Sequence, residues 1–214
     1  MVANLAEEAI YRIGGNPLLT RTGALYHDIG KSYEPIFFIE NQTGGINPHD
    51  KCEFDESAQH IINHVTKGVE LAKKYNLPEV IVNFIRTHHG KSKVKYFYNS
   101  FKNKYPDKPL DESLFTYAGP DPVSKECAVV MMADAVEAVS RTLQDKTEEN
   151  LKKSVNDIID GQVNEGRFQN SDITFRDIAI VKRVFTEMLA NIYHSRIAYP
   201  KLKTEAETES PNET

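Results

Sequence analysis

Ala24-Leu25-Tyr26-His27-Asp28-Ile29-Gly30-Lys31 sets an imidazole beside a carboxylate at the end of an apolar run, with a glycine just beyond. Neighbouring residues of an α-helix point about 100° apart, because one turn takes ~3.6 residues. In mid-helix these two side chains would diverge. At a helix end, where Gly30 lets the chain turn, both converge on one point, His27 offering a nitrogen and Asp28 a carboxylate able to bridge two cations. A lone His-Asp dipeptide carries little weight as a motif. The rest of the chain supplies it. His64 follows on a second amphipathic stretch, His88-His89 form a doublet before Gly90, and Asp134 sits directly after the apolar run Val129-Val130-Met131-Met132-Ala133. Imidazole and carboxylate are the ligand types that suit divalent iron, manganese and similar ions. His27, Asp28, His64, His88, His89 and Asp134 are therefore the candidate ligands of a two-metal site.

The composition fits a globular domain with an ordinary core. The chain has 214 residues, 40% hydrophobic and 27% charged, with a net charge of −5; one domain is the default at this length. No apolar run approaches the ~18 residues of a membrane span, and there is no signal-peptide pattern at the start. No basic block is long enough for a nucleic-acid duplex to be the expected partner. A small anion held against bound cations needs no net positive protein. Cys52 and Cys127 lack CxxC spacing and read as free thiols of a reducing compartment.

Taken in order, residues 2–13 read as an amphipathic helix that ends at Gly14-Gly15-Asn16, with Pro17 opening the next. That second helix, from Leu18 to about Asp28, carries the His-Asp pair. Pro35 to Gln42 reads as a helical turn or two with Phe37 and Phe38 inward, and residues 43–48 as a loop. Asp55 is a plausible N-cap for a helix to Tyr75, on which His60 and His64 share a face at i, i+4; periodicity does not choose between them. The following helix, opened at Pro78, buries Val80, Ile81, Phe84 and Ile85 and delivers His88-His89 at its end. Tyr96, Phe97, Tyr98, Phe101 and Tyr105 form an aromatic patch among lysines, read either as core or as a platform on which a base stacks. A Pro-rich loop runs from 105 to 122. Ser124 to about Leu143 is a helix with Ala128, Met131, Met132, Ala135, Val139 and Leu143 available to the core. Asp134 there needs a metal or a salt bridge with Arg141, and the other candidate ligands favour metal. Residues 147–160 and 174–198 read as two more helices, the second capped by Asp172 or Thr174, and 201–214 as a disordered tail. Without strand alternation the fold class is all-α, a helical bundle with a dinuclear metal site at its centre.

These residues and their flanking segments resemble the HD-domain phosphohydrolases. Val2-Ala3-Asn4-Leu5-Ala6-Glu7, Phe37-Phe38-Ile39-Glu40-Asn41-Gln42, His88-His89-Gly90, Tyr117-Ala118-Gly119-Pro120 and Ala133-Asp134-Ala135-Val136-Glu137-Ala138 are similar to one subgroup. That subgroup is the cytosolic catalytic domain of bacterial seven-transmembrane HD proteins of the PgpH type, which hydrolyse cyclic di-AMP. The resemblance covers residues 1–200 and selects His64 over His60. It implies two divalent ions, iron or manganese, one on His27, Asp28 and Asp134 and the other on His64, His88 and His89, with Asp28 catalytic. It implies that Lys31 contacts substrate phosphate, and it places the His49-Asp50 loop near the mouth of the site without making it a ligand. Tyr96, Tyr98 and Arg141 are candidate substrate contacts.

Two departures stand out. The family has an earlier histidine ligand, which in this subgroup precedes a segment like Val2–Glu7, so the chain reads as a fragment lacking it, cut from a membrane-anchored parent; Lys91 replaces a small hydroxyl residue after His88-His89-Gly90. The implied reaction is hydrolysis of cyclic di-AMP to pApA by hydroxide bridging the metals. Its rivals are an HD hydrolase of another nucleotide and a module that binds a cyclic dinucleotide with impaired catalysis. The Gly-Tyr-Pro segment of the cyclic di-GMP subgroup does not follow His88-His89.

Overall fold

A computed structural model describes residues 1–42, 45 and 47–193. Eight α-helices account for the described architecture: α1 (Val2–Arg12), α2 (Pro17–Tyr26), α3 (Phe54–Lys74), α4 (Glu79–Thr87), α5 (Lys95–Lys104), α6 (Lys125–Thr142), α7 (Glu148–Asn164) and α8 (Phe175–Tyr193). Among the described residues there is no strand, only one isolated bridge between Lys93 and Thr116. The all-α expectation holds. The tail at 201–214 and the last residues of the expected 174–198 helix lie outside the described residues, as do Thr43, Gly44 and Ile46 of the expected loop.

α6 is the axis of the bundle. Cys127 through Ala133 are all buried, because a helix that is apolar all round must be covered on every side. α1, α2, α4, α7 and α8 all contact it. Its own start is fixed by Ser124, whose hydroxyl accepts from the Cys127 amide at 3.3 Å, while Asp172 accepts from the Lys125 amide at 3.0 Å. Asp172 therefore caps α6. The start of α8 is closed by Thr174 and Asp177, each accepting from the other's backbone amide.

Three local expectations shift. Glu53, not Asp55, caps α3, in a reciprocal capping box with Glu56. Val80 is 53% exposed, so the buried stripe of α4 is Ile81, Val82, Phe84 and Ile85. On α6 Val139 faces outward while Val136 and Ser140 are buried. Phe84 is 1% exposed and sits where a Cβ on Gly23 would lie 2.3 Å from its ring, so α2 and α4 approach closely. That approach brings the C-terminal ends of α2 and α4 together beside the middle of α6. A second, smaller core of Ala58, Phe97, Phe101 and Phe115 lies between α3 and α5.

Candidate metal centre

The end of α2, the middle of α3, the end of α4 and the middle of α6 each deliver side chains to one place. His64, His88 and His89 form one group, and His27, Asp28 and Asp134 another; within each group the candidate ligand atoms all lie within 4.8 Å of one another. His60, the sequence alternative to His64, belongs to neither: its ring pairs with Glu34 at 2.8 Å and stacks on Phe37.

Three of the histidines are oriented by one device. Nδ1 of His27, His64 and His88 lies 2.6, 2.5 and 2.9 Å from the carbonyl oxygens of Ala24, Ile61 and Ile85, each three residues earlier. A carbonyl only accepts, so Nδ1 carries the proton and Nε2 of the neutral ring keeps its lone pair. The helix backbone thus fixes the tautomer suited to metal ligation. His64 Nε2 and His88 Nε2 then face one another at 3.0 Å, two acceptors with no hydrogen between them. Two nitrogens about 2.1 Å from a shared ion and at right angles would lie ~3.0 Å apart, so the pair fits a common cation.

The carboxylates link the two groups. Asp28 Oδ2 faces His27 Nε2 at 3.2 Å and Lys31 Nζ at 2.7 Å. Its Oδ1 faces His64 Nε2 at 3.3 Å and His88 Nε2 at 3.5 Å. Asp134 spans the same gap, with Oδ1 3.4 Å from His27 Nε2 and Oδ2 3.8 Å from His89 Nδ1. His27 Nε2 and Asp28 Oδ1 are buried without a hydrogen-bond partner, which is costly for polar atoms unless a cation satisfies them. The residues therefore fit metal ions.

The electrostatics agree. Burial disfavours a charged imidazole at His27, but Asp134 and Asp28 outweigh it and push that ring up to about 10. The site attracts positive charge strongly enough to take up a proton. Burial also resists ionisation of Asp28 and Asp134, yet the facing histidines hold both carboxyls well below the usual range. His88 and His89 are pushed down, chiefly by burial, so both are neutral and able to ligate at pH 7. Lys31 also contacts Glu40 at 2.8 Å. Burial weakens its charge, but Asp28 and Glu40 together push it up to about 12.

His27, Asp28, Lys31, Asp134, Glu137 and Arg141 are among the residues that line a cleft of about 660 Å³. Arg141 does not pair with Asp134; it pairs with the buried carboxylate of Glu137, one turn back on α6. Tyr96 stands 75% exposed at the edge of a neighbouring pocket. Tyr98 is directed elsewhere, donating to Glu112 at 2.7 Å beside Phe115. His49 donates from Nε2 to the Phe37 carbonyl at 2.9 Å and joins neither ligand group.

Two contributors were not singled out in the sequence. Tyr117, 7% exposed, stacks on His89 with ring centroids 4.3 Å apart. Asp121 accepts from the Lys91 amide at 3.0 Å and from Arg167 at 3.3 Å, pinning the turn after His88-His89. Tyr117 opens one of the segments that carry the family resemblance, Tyr117-Ala118-Gly119-Pro120; for Asp121 the only hint was its place in the Pro-rich loop.

Comparison with known proteins identifies the family. The cyclic-di-AMP phosphodiesterase PgpH of Bacillus subtilis is 41% identical over 201 residues, 94% of this chain and 28% of the relative. The PgpH of Listeria monocytogenes is 40% identical over 94% of this chain, again 28% of the relative. This chain thus spans little more than a quarter of either protein. The crystal structure of the L. monocytogenes PgpH HD domain in complex with cyclic-di-AMP superposes with a TM-score of 0.86 at 39% identity, covering 93% of this chain and 91% of that one. Residues 1–139 match the model of the HD domain family, and the chain belongs to that family.

Proposed function

We propose that this domain is a metal-dependent phosphodiesterase that opens cyclic di-AMP to the linear dinucleotide pApA. The observation that carries the reading is the pair of adjoining three-ligand groups joined through Asp28, in a chain resembling proteins named for that activity. His27, Asp28 and Asp134 would hold one divalent ion, His64, His88 and His89 the other. Bound iron or manganese would polarise the phosphoryl oxygens and lower the pKa of an attacking water.

The chain's own residues do the rest. The rings of His27, His64 and His88 are held in place by the carbonyls of Ala24, Ile61 and Ile85, so little reorganisation is needed when charge develops. Lys31 stays protonated at neutral pH and acts as a fixed charge, moving from Asp28 and Glu40 towards a non-bridging oxygen of the substrate phosphate. Arg141, paired with Glu137 in the lining of the same cleft, would meet a second phosphate. A guanidinium suits that task because its planar fork matches phosphate geometry. Among the described residues no helix is long and apolar enough to cross a membrane; from the resemblance to the PgpH-type proteins we read the domain as the cytosolic part of a membrane-anchored protein.

Chromatography of products after incubation with cyclic di-AMP and manganese tests this. pApA should appear and chelator should stop it. Intact cyclic di-AMP with manganese and with ferrous iron would overturn the reading; binding by calorimetry in that case would make the domain a sensor.

A further inference from the structure

The ammonium of Lys31 is shared between two carboxylates, 2.7 Å from Asp28 Oδ2 and 2.8 Å from Glu40 Oε1. We propose that Glu40, with the ring of Phe38, is a holding site that draws this ammonium off Asp28 and so frees the carboxylate for a divalent ion. Glu40 is thus a positioning residue that acts through Lys31. The proposal deepens the phosphodiesterase reading and rests on its metal centre.

The contact with Asp28 is built into the backbone. A 3₁₀ turn runs over Ile29–Ser32, and the Lys31 amide donates to the Asp28 carbonyl at 3.0 Å. In such a turn side chains three residues apart eclipse one another, so Lys31 lies over Asp28 by local geometry alone. That placement conflicts with ligation. Asp28 Oδ2 also faces His27 Nε2 at 3.2 Å, within the candidate ligand group that Asp134 completes. Like charges gathered at one oxygen repel. Lys31 therefore competes with a divalent ion for Asp28 unless another group takes up its charge.

That second station comes from a different segment. A 3₁₀ turn over Ile39–Asn41 is closed by the Asn41 amide on the Phe38 carbonyl at 2.9 Å, and the Gln42 side chain donates back to the Ile36 carbonyl at 3.1 Å. The turn sets Glu40 in the lining of the metal cleft. Phe38 beside it is 5% exposed and meets the His64 ring edge-on at 5.7 Å. The Lys31 ammonium lies 5.1 Å from the centre of the Phe38 ring, within the ~6 Å over which an aromatic face attracts a cation. A carboxylate and a ring face together offer Lys31 a place that belongs to neither ligand group. Its two carboxylate contacts are almost equal in length, so positive charge arriving at Asp28 shifts the ammonium towards Glu40. There it stays in the same cleft, where a substrate phosphate can meet it.

Manganese binding, followed by calorimetry on the whole chain, tests this without turnover. Lys31→Met removes the competitor and should tighten binding about threefold, the scale of one partly exposed ion pair. Glu40→Gln should weaken binding about threefold while Lys31 is present and change nothing in the Lys31→Met background. A residue that only supports the fold would not show that dependence. Both side chains reach the surface, 24% and 39% exposed, and an unchanged melting temperature checks each variant; the Lys31→Met arm decides alone if Glu40→Gln is unstable. Binding no tighter after Lys31→Met, or an equal loss from Glu40→Gln with and without Lys31, would overturn the holding site and leave the metal centre standing. No manganese on the native chain would overturn both, and product chromatography with cyclic di-AMP reports separately on the activity.

Discussion

The ends of α2 and α4 look alike in the sequence, each a buried stripe followed by two candidate ligands and a glycine, yet the two glycines serve different needs. Gly90 has φ +51, a left-handed conformation that side chains resist, and a Cβ there would lie 2.3 Å from Asp121 Oδ1. Gly30 has no positive φ. It is required because a Cβ would lie 1.8 Å from the His64 carbonyl and 2.5 Å from the Gly68 amide. At α4 the glycine turns the chain away from the ligands. At α2 it lets the backbone after Asp28 press directly on the turn of α3 that carries His64, which is how one carboxylate reaches both ligand groups. A shared sequence pattern thus conceals a turn in one place and a backbone contact in the other.

The contrast can be broken by substitution, and the largest effect falls on the carboxylate that the α2 end delivers. Asp28→Ala removes the group facing His27, His64 and His88 at once. Activity should fall by about 10³-fold or more, several kcal/mol of lost metal-borne charge stabilisation, with the helical circular dichroism retained. A loss below tenfold would show that the two groups do not depend on a shared ligand.

The glycines sharpen the comparison next. Gly30→Ala meets backbone that has no rotamer escape, and overpacking should cost about 3 kcal/mol or more, read as a depressed midpoint in urea. Gly90→Ala meets an unfavourable φ and a side-chain oxygen that can shift, so about 1–2 kcal/mol is expected. Equal losses, or a larger one at Gly90, would mean that the two ends are the same device after all. Smaller again is Asp121→Asn, which weakens the hold on Lys91 and Arg167; about 1–2 kcal/mol should be lost, with His89 less firmly placed and metal affinity lowered at the histidine group. At the bottom of the scale, His60→Ala should leave metal binding within twofold, since His60 touches Glu34 and Phe37 and neither ligand group.

What the sequence made legible follows the same division. His27, Asp28, His88, His89 and Asp134 could be named because each is a chemically distinctive residue at a helix end or beside an apolar run, and helical spacing locates such positions; His64 shares its helical face with His60, and the family resemblance chose it. The order of the helices was readable for the same reason. Contacts made by loops were not. Nothing local in Tyr117 says that it will cover His89, nor in Asp121 that it will reach across to Arg167, because both depend on where a long Pro-rich connection lands. Glu137 and Arg141 are one turn apart on α6, so their pairing was accessible from spacing; that Arg141 turns from Asp134 to Glu137 follows from Asp134 being enclosed by His27 and His89. Gly30 was read as a turn, since a sequence shows a missing Cβ but not the backbone that passes where it would have been.

The most direct test of the central claim is the number of manganese ions held per chain at equilibrium, measured by dialysis and elemental analysis. The account predicts two for the native chain and one after His88→Ala, which spares the group of His27, Asp28 and Asp134. No bound manganese in the native chain, or the same count before and after removal of His88, would contradict it.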